Sequence, residues 1–144
     1  MRRLGGVLVF LLLLTGTVAR ASDAPLQAAV AAAHPLATAA GMEILSAGGN
    51  AFDAAVAVTA ALGVVEPFSA GLGGGGFWLL HRASDGRQVV VDGRERAPLS
   101  ATADMYLDTD GRVTKASLEG PLSAAIPGVP AALEHLSREY GRLP

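Results

Sequence analysis

Apolar positions along this chain fall into one unbroken block and then a series of shorter periodic runs. After the block from Leu4 to Ala19, the stretch Asp23 to Ala33 turns from linker into alanine-rich sequence whose periodicity does not tell strand from helix. From His34 the signals sharpen. Pro35 suits a first helical position, Leu36, Ala40 and Ile44 recur at i, i+4 and i+8, and Gly48-Gly49 stops this helix after Ala47. Asn50 then caps a second helix, with Asp53 at its third position near the positive end of the dipole and Gly63 as its stop. From Ala54 to Leu62 that helix is apolar on nearly every face, which predicts burial on all sides. Phe77 to Arg82 and Arg87 to Asp92 read as two strands, joined by the hairpin turn Ala83-Ser84-Asp85-Gly86. Ala97 to Ala116 holds a short amphipathic element around Asp104-Met105-Tyr106-Leu107 and a turn at Asp108-Thr109-Asp110-Gly111. Leu122 to Ile126 reads as a further strand. Pro127-Gly128 then turns into a helix that opens at Pro130, runs through Leu133 and Leu136, and ends at Gly141.

The first block changes the picture from fold to address. Met1-Arg2-Arg3 is basic, Leu4 to Ala19 is apolar, and Ala19-Arg20-Ala21 has the small-x-small form of a cleavage site, so residues 1–21 are expected to be a secretory signal. The apolar run is shorter than the roughly 20 residues that cross a bilayer. Cleavage after Ala21 leaves residues 22–144, and removing Arg2, Arg3 and Arg20 from the 11 basic residues leaves 8 against 13 acidic ones, a net charge of −5. That balance excludes nucleic acid and anionic membrane as partners, since both select basic clusters. The absence of cysteine excludes disulfides, thiol catalysis and thiolate metal sites. Of the apolar residues, 28 are alanine, and alanine-rich helices bury little area while permitting close approach. Such composition suits one part of a larger assembly better than a self-sufficient domain.

Candidate chemistry concentrates between Val64 and Pro98. The run Gly71-Leu72-Gly73-Gly74-Gly75-Gly76 lets backbone approach a ligand or another chain closely, or take positive φ without steric cost, and so reads as the lining of a site. It also satisfies G-x-G-x-x-G, but a dinucleotide fingerprint needs a strand before the glycines and a helix after them. Here Glu66-Pro67-Phe68-Ser69 precedes them and the strand-like Phe77-Trp78-Leu79-Leu80 follows, so no nucleotide cofactor is expected. Beyond the second strand stands Arg94-Glu95-Arg96. Charges at a strand end often face water, whereas an arginine fork can also hold a carboxylate through two parallel hydrogen bonds. Next to a side-chain-free wall, such a fork suits a small anionic substrate such as an amino acid. His34, His81 and His135 fall in separate elements without metal-ligand spacing, so no metal site is expected. His34 reads as a hydrogen-bonder at the helix start and His135 as part of a solvated helix face. Asp108, Asp110 and Gly111 begin like a calcium loop but lack its later ligands, with Gly120 standing where the closing glutamate belongs. Ser69 lacks the context of a nucleophile elbow.

Several of these segments together resemble the gamma-glutamyltransferase family, also called gamma-glutamyltranspeptidase or glutathione hydrolase. The resemblance is carried by His34-Pro35-Leu36-Ala37-Thr38, Gly48-Gly49-Asn50-Ala51-Phe52-Asp53-Ala54-Ala55-Val56-Ala57, Val65-Glu66-Pro67 with Gly71 to Phe77, Gly93-Arg94-Glu95-Arg96-Ala97-Pro98, and Pro127-Gly128-Val129-Pro130 with Tyr140-Gly141. It covers roughly Ala28 to Pro144. What it implies is an α+β fold, the amino-terminal part of an αββα sandwich of an amino-terminal-nucleophile hydrolase, incomplete in this chain. It further implies an exported precursor, periplasmic or secreted, that cuts itself into a large and a small subunit. The new amino-terminal threonine of the small subunit then attacks the γ-carbonyl of glutathione or another γ-glutamyl compound, and water or an amino acid resolves the acyl-enzyme. The family's R-E-x-A-P arginine, which binds the substrate α-carboxylate, falls on Arg94.

None of Thr38, Thr59, Thr102, Thr109 and Thr114 stands in the family's cleavage motif, and no Thr-Thr-His occurs. No catalytic residue is therefore assigned here, and residues 22–144 are expected to be inactive alone, with the small subunit of the same precursor as partner. Two other readings stay open. One is a related acylase on the same scaffold acting on β-lactam side chains or polyglutamate. The other is a secreted, non-catalytic anion-binding module.

Overall fold

The computed structural model describes residues 28–144. The signal expected over residues 1–21 and the start of the linker lie outside the described residues. Ala28 to Ala33 is neither helix nor strand. Helix α1 spans Pro35–Ser46, and the Nδ1 atom of His34 accepts a hydrogen bond from the Leu36 amide at 3.2 Å, the helix-start role expected of it. The buried stripe of α1 is one position out of phase with the expected one. Ala37 and Gly41 face inward, while Leu36 is 62% exposed. Size does not set this phase; close approach does. A Cβ at Gly41 would meet the Val58 side chain at 2.7 Å and that of Val30 at 3.0 Å, so the smallest residues of α1 face these valines.

Helix α2, Ala51–Val65, runs two residues past its expected stop. Gly63 instead faces the returning loop, where a Cβ would lie 3.4 Å from the Gly71 Cα, in ordinary van der Waals contact. The helix ends at Glu66 because Pro67 has no amide to donate and disfavours helical backbone in the residue before it. Burial on every side is not what the structure shows: only Asp53 and Ala54 of α2 are buried, and Val64 is 78% exposed. Its neighbours α1 and α3 cover only part of its circumference.

Strands β1, Phe77–Arg82, and β2, Arg87–Asp92, form the expected antiparallel hairpin, in the register Phe77 opposite Asp92 and Arg82 opposite Arg87. Gly86 takes φ +69° in its turn. The face carrying Trp78 and Leu80 packs inward, whereas Phe77, Leu79 and Val90 on the other face are more than half exposed. The strand expected over Leu122 to Ile126 is absent. Pro121–Ser123 is a short 3₁₀ turn, and pairing is limited to a two-bond bridge between Arg96 and Ile126. Pro127 cannot extend that ladder. The amphipathic element near Tyr106 is likewise a set of turns, closed by a bridge between Leu107 and Val113. Helix α3 covers Val129–Tyr140 as expected, burying Val129, Ala132, Leu133 and Leu136 along one stripe.

These pieces are joined by one buried acid. The side chain of Asn50 accepts from the Phe52 and Asp53 amides, and the Asp53 carboxylate reaches back to the Asn50 amide at 2.8 Å, a complete capping box. The same carboxylate accepts from the amides of Arg142, at 3.0 Å, and Leu143, at 3.4 Å, just beyond α3. Asn50 Nδ2 donates to the Tyr140 carbonyl at 2.7 Å. Asp53 is 8% exposed and is the one buried charged residue among those described. Replacing Asp53 with alanine removes a helix cap and strands buried amides, so Asp53→Ala should cost about 2–4 kcal/mol of stability, with Asp53→Asn in between. The shift in denaturation midpoint of the folded protein measures this, and an unchanged midpoint would refute it.

At the hairpin turn, Arg82 holds Asp85 through a bidentate pair at 3.0 and 2.6 Å, and the Arg87 amide adds a third bond. The hydrogen bond from Arg82, followed by that from the Arg87 amide, brings the Asp85 carboxyl down to about 2. A lowered folded-state value means that the turn's stabilisation is present above the ordinary carboxylate range and is lost as pH falls through the folded-state value. A carboxyl-carbon NMR titration of Asp85 is expected to show a midpoint near 2, and Arg82→Ala should move it back towards 3.8.

Candidate functional site

The glycine run, the turn after β2 and the start of α3 converge on one junction. None of Gly71 to Gly76 takes positive φ. These residues serve close approach instead. The Gly74 carbonyl accepts from the Gly128 amide at 3.1 Å and the Val129 amide at 3.2 Å, which satisfies two of the orphan donors at the start of α3, a helix with no side-chain cap. Gly76 and Gly93 exchange both backbone hydrogen bonds, at 3.2 and 2.9 Å, extending the hairpin ladder by one pair. Opposite them, a Cβ at Gly128 would collide with the carbonyl of Gly93. The junction therefore holds glycine against glycine on two sides.

The side chain lying against this wall is Glu95. A Cβ on Gly75 would strike its carboxylate, and one on Gly74 would sit 3.5 Å from it. Arg94 lines a different surface, an open cleft of about 470 Å³ that it shares with Arg96, Val91, Ile126, Gly128 and His135. Its amide is held by Asp92 Oδ1 at 2.9 Å, which fixes the backbone at the strand end. Its side chain is exposed and makes no ion pair with the described residues. The fork and the glycine wall thus share a backbone turn and do not face one another across a pocket. Chemically, the cleft offers guanidinium donors beside an apolar floor and the half-buried imidazole of His135, which stands edge-on to Tyr140 at 5.8 Å. His34 and His81 lie elsewhere, on α1's start and on β1.

The gamma-glutamyltranspeptidase family profile matches residues 37–144. The chain belongs to that family. It is 49% identical over 125 residues to a glutathione hydrolase proenzyme of Pseudomonas sp. strain A14, covering 84% of this chain and 22% of that protein. It is also 48% identical over 120 residues to an acylase proenzyme, ACY 1, of Pseudomonas sp. strain V22, covering 77% of this chain and 21% of that one. Among solved structures it resembles the gamma-glutamyltranspeptidase of Helicobacter pylori, with a TM-score of 0.75 and 45% identity over 81% of this chain and 33% of that one. The chain thus spans about a fifth of the length of these curated relatives. Its helices and hairpin form part of the amino-terminal-nucleophile hydrolase sandwich of such structures.

Two contributors to this gamma-glutamyltranspeptidase junction were missed in sequence. One is Trp78, whose indole Nε1 donates to Thr59 Oγ1 at 3.3 Å from the inner face of β1. The other is Gly128, whose contact with Gly93 nothing local announces. The unbroken apolar run Phe77-Trp78-Leu79-Leu80 marked β1 as a strand without showing which face packs inward, and no pattern paired Trp78 with α2.

Proposed function

We propose that this chain works as the amino-terminal portion of the large subunit of an exported γ-glutamyl-transferring enzyme, with residues 1–21 as signal and residues 22–144 as the start of the mature subunit. The observation that carries this reading is the exposed guanidinium of Arg94, without an acidic partner among the described residues, at the end of a strand whose backbone is fixed by Asp92 and Gly76. A planar fork at such a place accepts a carboxylate through two parallel hydrogen bonds and orients the rest of the molecule about it. For a γ-glutamyl substrate, gripping the α-carboxylate places the γ-carbonyl several bonds away, towards a nucleophile supplied by the small subunit of the same precursor. That nucleophile is the threonine that the family resemblance implies, its hydroxyl activated by its own freed α-amine, with the tetrahedral oxyanion stabilised by aimed donors. Glutathione and other γ-glutamyl compounds are the substrates, and the periplasm or cell exterior the compartment.

The similarity to an acylase proenzyme, at 48% identity, favours one second reading, acyl transfer from a β-lactam or polyglutamate substrate on the same scaffold. The full open reading frame tests both. A Thr-Thr-His segment a few hundred residues downstream of Pro144 supports the precursor enzyme, and a stop codon directly after Pro144 overturns it. In the full-length enzyme, parallel assays with glutathione and with an acylated β-lactam separate the two substrate classes.

Losing one partner of a desolvated charge pair costs about 2–5 kcal/mol. Arg94→Ala should therefore weaken apparent affinity for the γ-glutamyl substrate by roughly 30-fold to several thousand-fold. Steady-state kinetics matching those of the parent would remove Arg94 from the substrate site.

A further inference from the structure

We infer that Trp78 is the positioning residue for Arg94, acting through the backbone of Gly93; the inference rests on the reading of Arg94 as the substrate-carboxylate anchor. The indole spans the gap between α2 and the turn after β2. At one end its Nε1 donates to Thr59 Oγ1 at 3.3 Å, and that hydroxyl is itself oriented by donating to the Ala55 carbonyl at 2.8 Å. At the other end its six-membered ring lies over two glycines. A Cβ on Gly93 would come within 2.6 Å of Cζ3, and one on Gly76 within 3.1 Å of Cη2. Gly93 is fully enclosed by this arrangement. Trp78 covers it on one side, Gly76 is bonded to it across the ladder, and the space for a side chain is closed further by Ala132 of α3 at 2.9 Å.

The residue after Gly93 is Arg94, so any movement of that peptide moves the base of the guanidinium arm. Asp92 restrains Arg94 only at its amide. The stacking surface that keeps Gly93 from shifting towards α2 is the indole, and the hydrogen bond to Thr59 keeps the indole from rotating away. A side chain that reaches the substrate only by fixing another is separable from a binding residue, because its effect disappears once the residue it positions is gone.

The test is a kinetic double-mutant cycle in the full-length enzyme with a chromogenic γ-glutamyl anilide. Trp78→Phe removes the hydrogen bond and part of the ring over Gly93, and should raise KM about tenfold with kcat within about twofold, a fraction of the roughly 100-fold that a 1 Å misplacement can cost. Thr59→Val leaves the indole over Gly93 and removes its hydrogen bond together with the hydroxyl's own bond to the Ala55 carbonyl, should raise KM about threefold, and keeps the test open if Trp78→Phe does not fold. Neither substitution should raise KM further in an Arg94→Ala background. The same factor in both backgrounds, or an unchanged KM in both folded single variants, overturns the inference. If Arg94→Ala alone leaves KM unchanged, the anchor reading fails first and takes this inference with it, a pattern distinct from either of the others.

Discussion

The Asp53 carboxylate is the constraint on which the described arrangement depends. A buried carboxylate is tolerable only when its oxygens are satisfied, and here every donor is a backbone amide: that of Asn50 in its own helix cap and those of Arg142 and Leu143 beyond α3. Because two of those donors belong to the far end of the chain, satisfying the acid fixes the start of α2 against the end of α3. The bond from Asn50 Nδ2 to the Tyr140 carbonyl and the tilted packing of Phe52 on Tyr140, at 5.3 Å, act at the same corner. With both helices set, the hairpin has one place to lie, its Trp78 face against α2 and its Gly93 end against α3.

From there the glycines follow as a packing requirement. Gly128 lies directly against the Gly93 backbone, where a Cβ would collide with the carbonyl, while Gly76 and Gly93 leave the room that the Trp78 ring occupies. The gain is local satisfaction: the Gly74 carbonyl takes two amides at the start of a helix that has no capping side chain. Arg94 is held at the rim of that junction, its backbone pinned and its guanidinium without an ion pair among the described residues.

Much of this was legible from the residues alone. The hairpin was readable because Phe77–Arg82 and Arg87–Asp92 flank a turn whose Gly86 can take positive φ, and α3 was readable because its apolar positions recur at helical spacing between Pro130 and Gly141. The N-cap at Asn50 was readable, with Asp53 placed near the helix dipole, whereas the bond that Asp53 returns to the Asn50 amide came from the structure. What escaped was everything decided by contacts distant in sequence. The buried phase of α1 follows the contact of Gly41 with Val58, Gly63 meets the Gly71 loop inside α2 instead of stopping the helix, and the expected strand at Leu122 to Ile126 is reduced to the bridge between Ile126 and Arg96. At the candidate site, the sequence marked both the glycine run and Arg94 but placed them face to face. The structure sets Glu95 against the glycines and turns Arg94 towards the cleft beside α3.

The capping box of α2 carries a consequence for the order in which this chain assembles. Its local half needs only residues 50–53 and can close as soon as they leave the ribosome, whereas the amides of Arg142 and Leu143 lie 89 and 90 positions downstream. Until that stretch has been synthesised, a carboxylate destined for the interior must stay hydrated, and the helix it caps cannot settle against α3. Closure of so long a loop is slow compared with helix formation. A nascent chain would therefore keep α2 undocked from α3 until residues 142 and 143 have emerged, so the acid that caps the helix early becomes the latch that closes the corner late.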